Sequence, residues 1–139
     1  MIVDTGPLVA AALAGDTNHM RCVELFTALH LNGEPLMVPS LVVTEVCYML
    51  CREAGPRIET DFVSSLVAGD FVLVDVGLTD LDRAAELMTK YADLPLGVVD
   101  ASVVALAERL NVSEIATLDR RHFVVVRPRH VKAFTLLPE

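Results

Sequence analysis

Apolar residues in this chain fall into short runs and helical periods, and the two kinds alternate. Met1–Val3 predicts a short buried strand that runs into the turn Asp4-Thr5-Gly6-Pro7. Proline suits the first turn of the helix expected through Leu8–Leu13. Val23, Phe26 and Leu29 or His30 recur at helical spacing, so a second helix is expected from a cap at Asp16 to about Leu31, ended by Gly33. Leu36–Val38 predicts a second strand. Ser40 then caps a helix over Leu41–Ala54, stopped by Gly55-Pro56, and Ile58–Ala68 forms the next, with Gly69 as its stop. The Val-rich run Phe71–Val76 reads as a strand. Thr79-Asp80-Leu81-Asp82 is a capping sequence for a helix to Tyr91, and Pro95 opens another to about Leu110. Glu114–Thr117 and Phe134–Leu137 complete the strands. No Asn-Gly or Asp-Gly pair links two strand-like runs. An α/β fold follows, with a mostly parallel sheet covered on both faces.

A length of 139 residues suits a single domain, 1–139, and 53% hydrophobic residues can fill its core. There is no repeat or low-complexity run. No segment reaches the ~18 apolar residues that span a bilayer. Pro7–Ala14 follows an acid rather than a basic leader, so a soluble cytoplasmic protein is expected. Cys22, Cys47 and Cys51 form no CxxC, and a bridge between Cys47 and Cys51 on one helix face would constrain little. Reduced thiols fit better than a zinc site. His19, His30, His122 and His130 have no metal-type spacing.

The net charge of −8 argues against a broad nucleic-acid-binding surface, but the charge is uneven. Residues 1–119 carry 6 basic against 18 acidic side chains. The last twenty carry Arg120, Arg121, Arg127, Arg129 and Lys132 against Glu139 alone. That tail could meet phosphates or an acidic partner, or be an ordinary solvated end.

The acids separate into two groups. Glu53, Glu59, Asp61, Asp80, Asp82, Glu86 and Glu108 have charged neighbours and read as solvated helix faces. Asp4, Glu45 and Asp100 are each the only charge in a long apolar run, and Asp119 ends the apolar strand IATL. An ionised carboxylate in apolar surroundings is costly unless paired or bound to metal. Four in one domain suggest convergence, and converging like charges need a cation. Glu45 and Asp100 fall inside predicted helices, where caps do not occur. Oxygen ligands without a His or Cys motif favour Mg²⁺ or Mn²⁺. Asp75 is also isolated but fits a solvent-facing strand end, and Asp93 fits a loop.

The order and setting of these residues resemble the PIN domain. The blocks are IVDTGPLVA, VPSLVVTEVCYML, LPLGVVDASVVALAERL and IATLDRRHF, in order across nearly the whole chain. The length and the ending FTLLPE are similar to the VapC-type toxins of type II toxin–antitoxin pairs. The resemblance implies a three-layer α/β/α sandwich around a mostly parallel sheet of about four to five strands. It implies an Mg²⁺- or Mn²⁺-dependent endoribonuclease in which Asp4 and Asp100 are metal ligands and Glu45 and Asp119 complete the catalytic cluster. Thr5 and Thr117 match small hydroxyl positions that support a carboxylate or a water. An RNA-contacting rim would fall to Arg120, Arg121, Arg127 and Arg129. Expected partners are the RNA substrate, a cognate antitoxin and a second copy of the chain, with no membrane. The antitoxin surface is expected around Val23–Leu31 and Ile58–Val67, unless both are core faces.

Two other classes compete. One is a PIN-like docking module that does not cleave, against which the intact carboxylates argue. The other is an Asp-based phosphotransfer or phosphatase domain. Thr5-Gly6 after Asp4 excludes a D-x-D, and no acidic pair precedes Asp4 as a receiver would need.

Overall fold

The computed structural model describes residues Met1–Glu139. Five strands form one fully parallel sheet in the order β3-β2-β1-β4-β5: β1 Ile2–Val3, β2 Met37–Pro39, β3 Val72–Val74, β4 Glu114–Ala116 and β5 Thr135–Leu137. The central strands are short apolar runs without alternation, as strands covered on both faces must be. Ile2, Val3, Val38, Ile115 and Ala116 are all buried.

Seven helices connect them: α1 Thr5–Ala12, α2 His19–Leu31, α3 Ser40–Ala54, α4 Pro56–Ala68, α5 Leu78–Lys90, α6 Val98–Leu110 and α7 Arg120–Val125. From β1 the chain steps outward to β2 and β3, then crosses back to β4 on the other side of β1. Right-handed crossovers therefore put α1–α4 on one face and α5–α7 on the other. Helix α6 is the central one, buried continuously from Ala101 to Ala107. It packs over β1 and β2 and against α3 and α5. Its Ala and Ser residues allow that close approach. Gly55, at φ +87°, joins α3 to α4 in a backbone conformation that side chains disfavour.

Several local expectations change. Helix α2 begins at His19, because Asp16 spends its carboxylate on the Asn18 N–H at 2.7 Å and closes a preceding turn. Ser40 is the first residue of α3 rather than its cap, and its hydroxyl accepts the Val76 N–H at 3.1 Å. Helix α6 begins at Val98, not Pro95, because residues 91–95 form turns and Gly97 is extended. Helix α7 was not expected, since its polar start Arg120-Arg121-His122 hides a helical period.

Two acids taken as solvated are not. Asp80 is only 4% exposed; it accepts the Gly77 N–H at 2.9 Å as the acidic half of a capping box and pairs with Arg109 at 2.8 Å. Burial raises its pKa, but Arg109 and the Gly77 N–H outweigh that and leave it below the usual value. Glu108 on α6 takes Arg83 of α5 in two hydrogen bonds of 2.8 and 3.0 Å. These pairs fasten α5 to α6 with Asp80, Glu108 and Arg83 largely out of water and Arg109 partly exposed, so removing an arginine strands the acid it faces. Asp80→Ala is expected to cost about 2 kcal/mol in urea unfolding, against about 0.5 kcal/mol or less for Asp82→Ala. Equal costs would show that the Asp80 pair contributes nothing beyond a surface charge.

Candidate active site

Strand β1 sends its chain toward β2, and β4 sends its chain toward β5, in the opposite direction. The crevice beyond the carboxyl ends of such a pair is where doubly wound sheets take ligands. The register Val3↔Ala116 places Asp4 beside Thr117, and the Asp4 N–H donates to Ala116 O at 2.9 Å. The Thr117 hydroxyl then donates to Asp4 Oδ2 at 2.8 Å, and its oxygen accepts the Asp119 N–H at 3.1 Å. One hydroxyl thus ties together two acidic positions 115 residues apart in sequence. Gly6 lets Leu118 lie close above α1: a Cβ there would stand 3.3 Å from Leu118 Cβ, tighter than normal packing.

The other two acids come from helices. Val42, Val46 and Leu50 of α3 face the core, which turns Glu45 and Met49 toward the crevice. Asp100 stands in the first turn of α6. All four acids line one open cleft of about 690 Å³, together with Thr5, Gly6, Met49, Gly97, Val98, Val99 and Leu118.

Asp4 is 5% exposed, and its pKa is pushed up to about 6. Burial is the main cause; the charges of Asp100 and Glu45 add to it, while the Thr117 hydroxyl and the Thr5 N–H oppose it. Asp100 is raised by burial first, lowered by His122, and raised again by Asp119 and Glu45. The acids therefore feel one another across the cleft. No three His, Cys, Asp or Glu side chains close on a single point. The donor set is nevertheless all oxygen at the cleft, and the buried Thr5 Oγ1 there has no hydrogen-bond partner. That chemistry suits a hard divalent cation that keeps part of its water shell.

His122 was not selected from the sequence. It is buried on α7, with Nδ1 2.9 Å from Asp119 Oδ2 and 3.2 Å from Asp100 Oδ2. Neither oxygen lies along the ring N–H, so the contacts are close but bent. Its only sequence signal is the i, i+3 spacing from Asp119, which has meaning only once α7 is recognised. Asp119 itself caps α7 by accepting the Arg121 N–H at 3.1 Å.

The four rim arginines are placed unequally. Arg120 donates to Leu136 O and Pro138 O, Arg127 to Val124 O and Val126 O, and Arg129 to Glu86. Arg121 instead places its guanidinium 3.5 Å from His122 Nε2 and takes no carbonyl or carboxylate.

Residues 1–127 match the PIN domain model. The chain belongs to the PIN domain family. A curated relative, Ribonuclease VapC26 of Mycobacterium tuberculosis, is 34% identical over 138 residues, covering 99% of this chain and all of the relative. Among solved structures, Mycobacterium tuberculosis VapC20, described as a sarcin-ricin-loop-cleaving toxin, superposes with a TM-score of 0.74 at 20% identity. It covers 82% of this chain and 85% of that one. VapBC2 from Rickettsia felis, solved bound to a fragment of promoter DNA, gives 0.67 at 16% identity, covering 99% and 100%. The PIN-like α/β fold expected from the sequence, with a mostly parallel sheet of about four to five strands, is the fold observed, as five strands all parallel.

The raised pKa of Asp4 makes stability pH-dependent in this PIN domain without metal. The native state holds the Asp4 proton up to about pH 6, whereas the unfolded chain releases it near 3.8. Stability is therefore lost as pH rises from about 4 to 6, by on the order of 3 kcal/mol for this group. In EDTA, Asp4→Asn should gain stability relative to the wild type across that window, and the difference should be flat above it. A difference that does not vary with pH would mean that Asp4 titrates normally.

Proposed function

We propose that the chain is a divalent-metal-dependent endoribonuclease and the toxin of a toxin–antitoxin pair, acting in the cytoplasm. The observation that carries this reading is the convergence of Asp4, Glu45, Asp100 and Asp119 in one cleft at the topological switch point. The curated relative's description as a ribonuclease supports it. A docking module would have no use for four converging acids.

Asp4, which is buried, and Asp100, which is half-buried, are assigned as ligands of Mg²⁺ or Mn²⁺. When bound, the cation supplies charge for the anionic phosphodiester and acidifies a coordinated water. Thr117 holds Asp4 in a fixed rotamer. Glu45 and Asp119 sit where they can orient the attacking water and accept its proton. Thr5, with its free hydroxyl on the cleft wall, can hold a water or a phosphate oxygen. Attack by water on phosphorus leaves a 5′-phosphate and a 3′-hydroxyl.

Two protein partners belong to the proposal: a cognate antitoxin and a second copy of the chain. The VapBC2 structure supports the first. The outward faces of α2 and α4 carry exposed Met20, Leu31, Val63 and Val67, which suit an apolar partner.

Cleavage of a structured RNA pool is expected with Mg²⁺ or Mn²⁺ and not with EDTA. Asp4→Asn and Asp100→Asn should each lower it at least about 100-fold while the fold is kept. Products ending in 2′,3′-cyclic phosphate would overturn the chemistry, because they require attack by the RNA's own 2′-hydroxyl.

Placement ranks the rim arginines. Arg121→Ala should weaken RNA binding and reduce the slope of log K against log salt by about 1, as loss of one phosphate contact requires. Arg129→Ala, which removes a group already paired with Glu86, should change the slope less. Equal slopes for both variants would remove Arg121 from the substrate path.

A further inference from the structure

We propose that His122 is a positioning residue of the site: its Nδ1, in close but bent contact with both, keeps the Asp100 and Asp119 carboxylates in the arrangement from which the cluster binds a cation. The inference rests on the metal-dependent reading above. His122 is 6% exposed and does not line the cleft, so it acts through the acids rather than on substrate. Its Nδ1 is the only nitrogen recorded within 4 Å of either carboxylate as an ion-pair partner, at 2.9 Å from Asp119 and 3.2 Å from Asp100.

The ring's orientation follows from its surroundings. The Arg121 guanidinium lies 3.5 Å from Nε2; since it can only donate, this contact favours the tautomer with the proton on Nδ1. Helix α7 keeps the ring in place, with Phe123 buried beside it and the His122 carbonyl accepting the Val126 N–H at 3.1 Å. Asp119 spends Oδ1 on capping α7, which leaves Oδ2 for His122.

Asp100 comes from α6 and Asp119 from the loop after β4, so no backbone element fixes their separation, and their charges repel. A polar nitrogen within 3.2 Å of both carboxylates offsets part of that repulsion. Partners of this kind behind the ligands typically change metal affinity 10–100-fold.

The test compares two variants of the full chain. His122→Phe keeps a ring and its volume but has no donor; His122→Asn keeps a donor close to the Nδ1 position. Mn²⁺ dissociation constants are measured by calorimetry and melting temperatures in EDTA, with Asp100→Asn as the control. We expect His122→Phe to bind Mn²⁺ about 10–100-fold more weakly, and His122→Asn to recover most of that loss. Should His122→Phe fail to fold, His122→Gln, whose donor sits toward the Nε2 position, takes its place in the same comparison. Wild-type affinity in the donor-less variant, or equal weakening in folded His122→Asn, would overturn the inference and leave His122 a packing residue. A wild type whose Mn²⁺ binding is absent, or survives in Asp100→Asn, would instead overturn the metal reading itself, and the inference with it.

Discussion

The pairing of β1 with β4 is the constraint on which the site depends. Two register bonds, Ile2↔Ile115 and Val3↔Ala116, bring opposite ends of the chain together. Everything at the crevice is then fixed by short steps. Asp4 follows Val3 directly, Thr117 follows Ala116 directly, and the 2.8 Å hydroxyl bond between them needs no further adjustment. A slip of one residue would turn Thr117 to the other face of the sheet and leave Asp4 buried without its donor. The shortness of the strands is compatible with this precision, because α6 covers β1 and β2 over its whole buried length and leaves little freedom to slide.

The molecule places its buried acids in two ways. Asp80 and Glu108 each face an arginine from the neighbouring helix, and their pKa values fall below the usual range despite burial. Asp4 and Asp100 face other carboxylates, and their pKa values rise. The first arrangement is complete within the chain and joins helices. The second is incomplete: its remaining repulsion is relieved only by protons, by the bent contacts of His122, or by a cation from outside. Unrelieved charge of one sign, concentrated in a cleft, marks a functional site more reliably than burial alone.

How far this was legible in the sequence differs by residue. Asp4, Glu45 and Asp100 stand out because each lacks charged neighbours along the chain, and Asp119 because it ends an apolar strand; all four line one cleft. Asp100 nonetheless lies less deep in its helix than the sequence suggests, because α6 starts at Val98 rather than Pro95 and Asp100 occupies its first turn. Asp80 and Glu108 were misjudged for the converse reason. Their partners lie 29 and 25 residues away, a distance that local charge patterning cannot register. His122 stayed hidden because α7 is a single polar-faced turn and a half, too short for periodicity to declare it.

A chain of net charge −8 that engages a polyanion must do so through few contacts, and the structure indicates how few. Three of the four arginines in the basic tail satisfy carbonyls or Glu86, so their charge mostly serves the C-terminal strand and the α5–α6 edge. Arg121 alone remains without a carbonyl or carboxylate partner, its guanidinium beside His122. Non-specific electrostatic attraction is weak under these conditions, since it scales with the number of phosphates neutralised. Under the proposed function, affinity would arise where cation, cleft wall and a particular phosphate geometry coincide. Such a site would discriminate by shape and metal-mediated contact rather than by charge, because the acidic surface elsewhere repels polyanions.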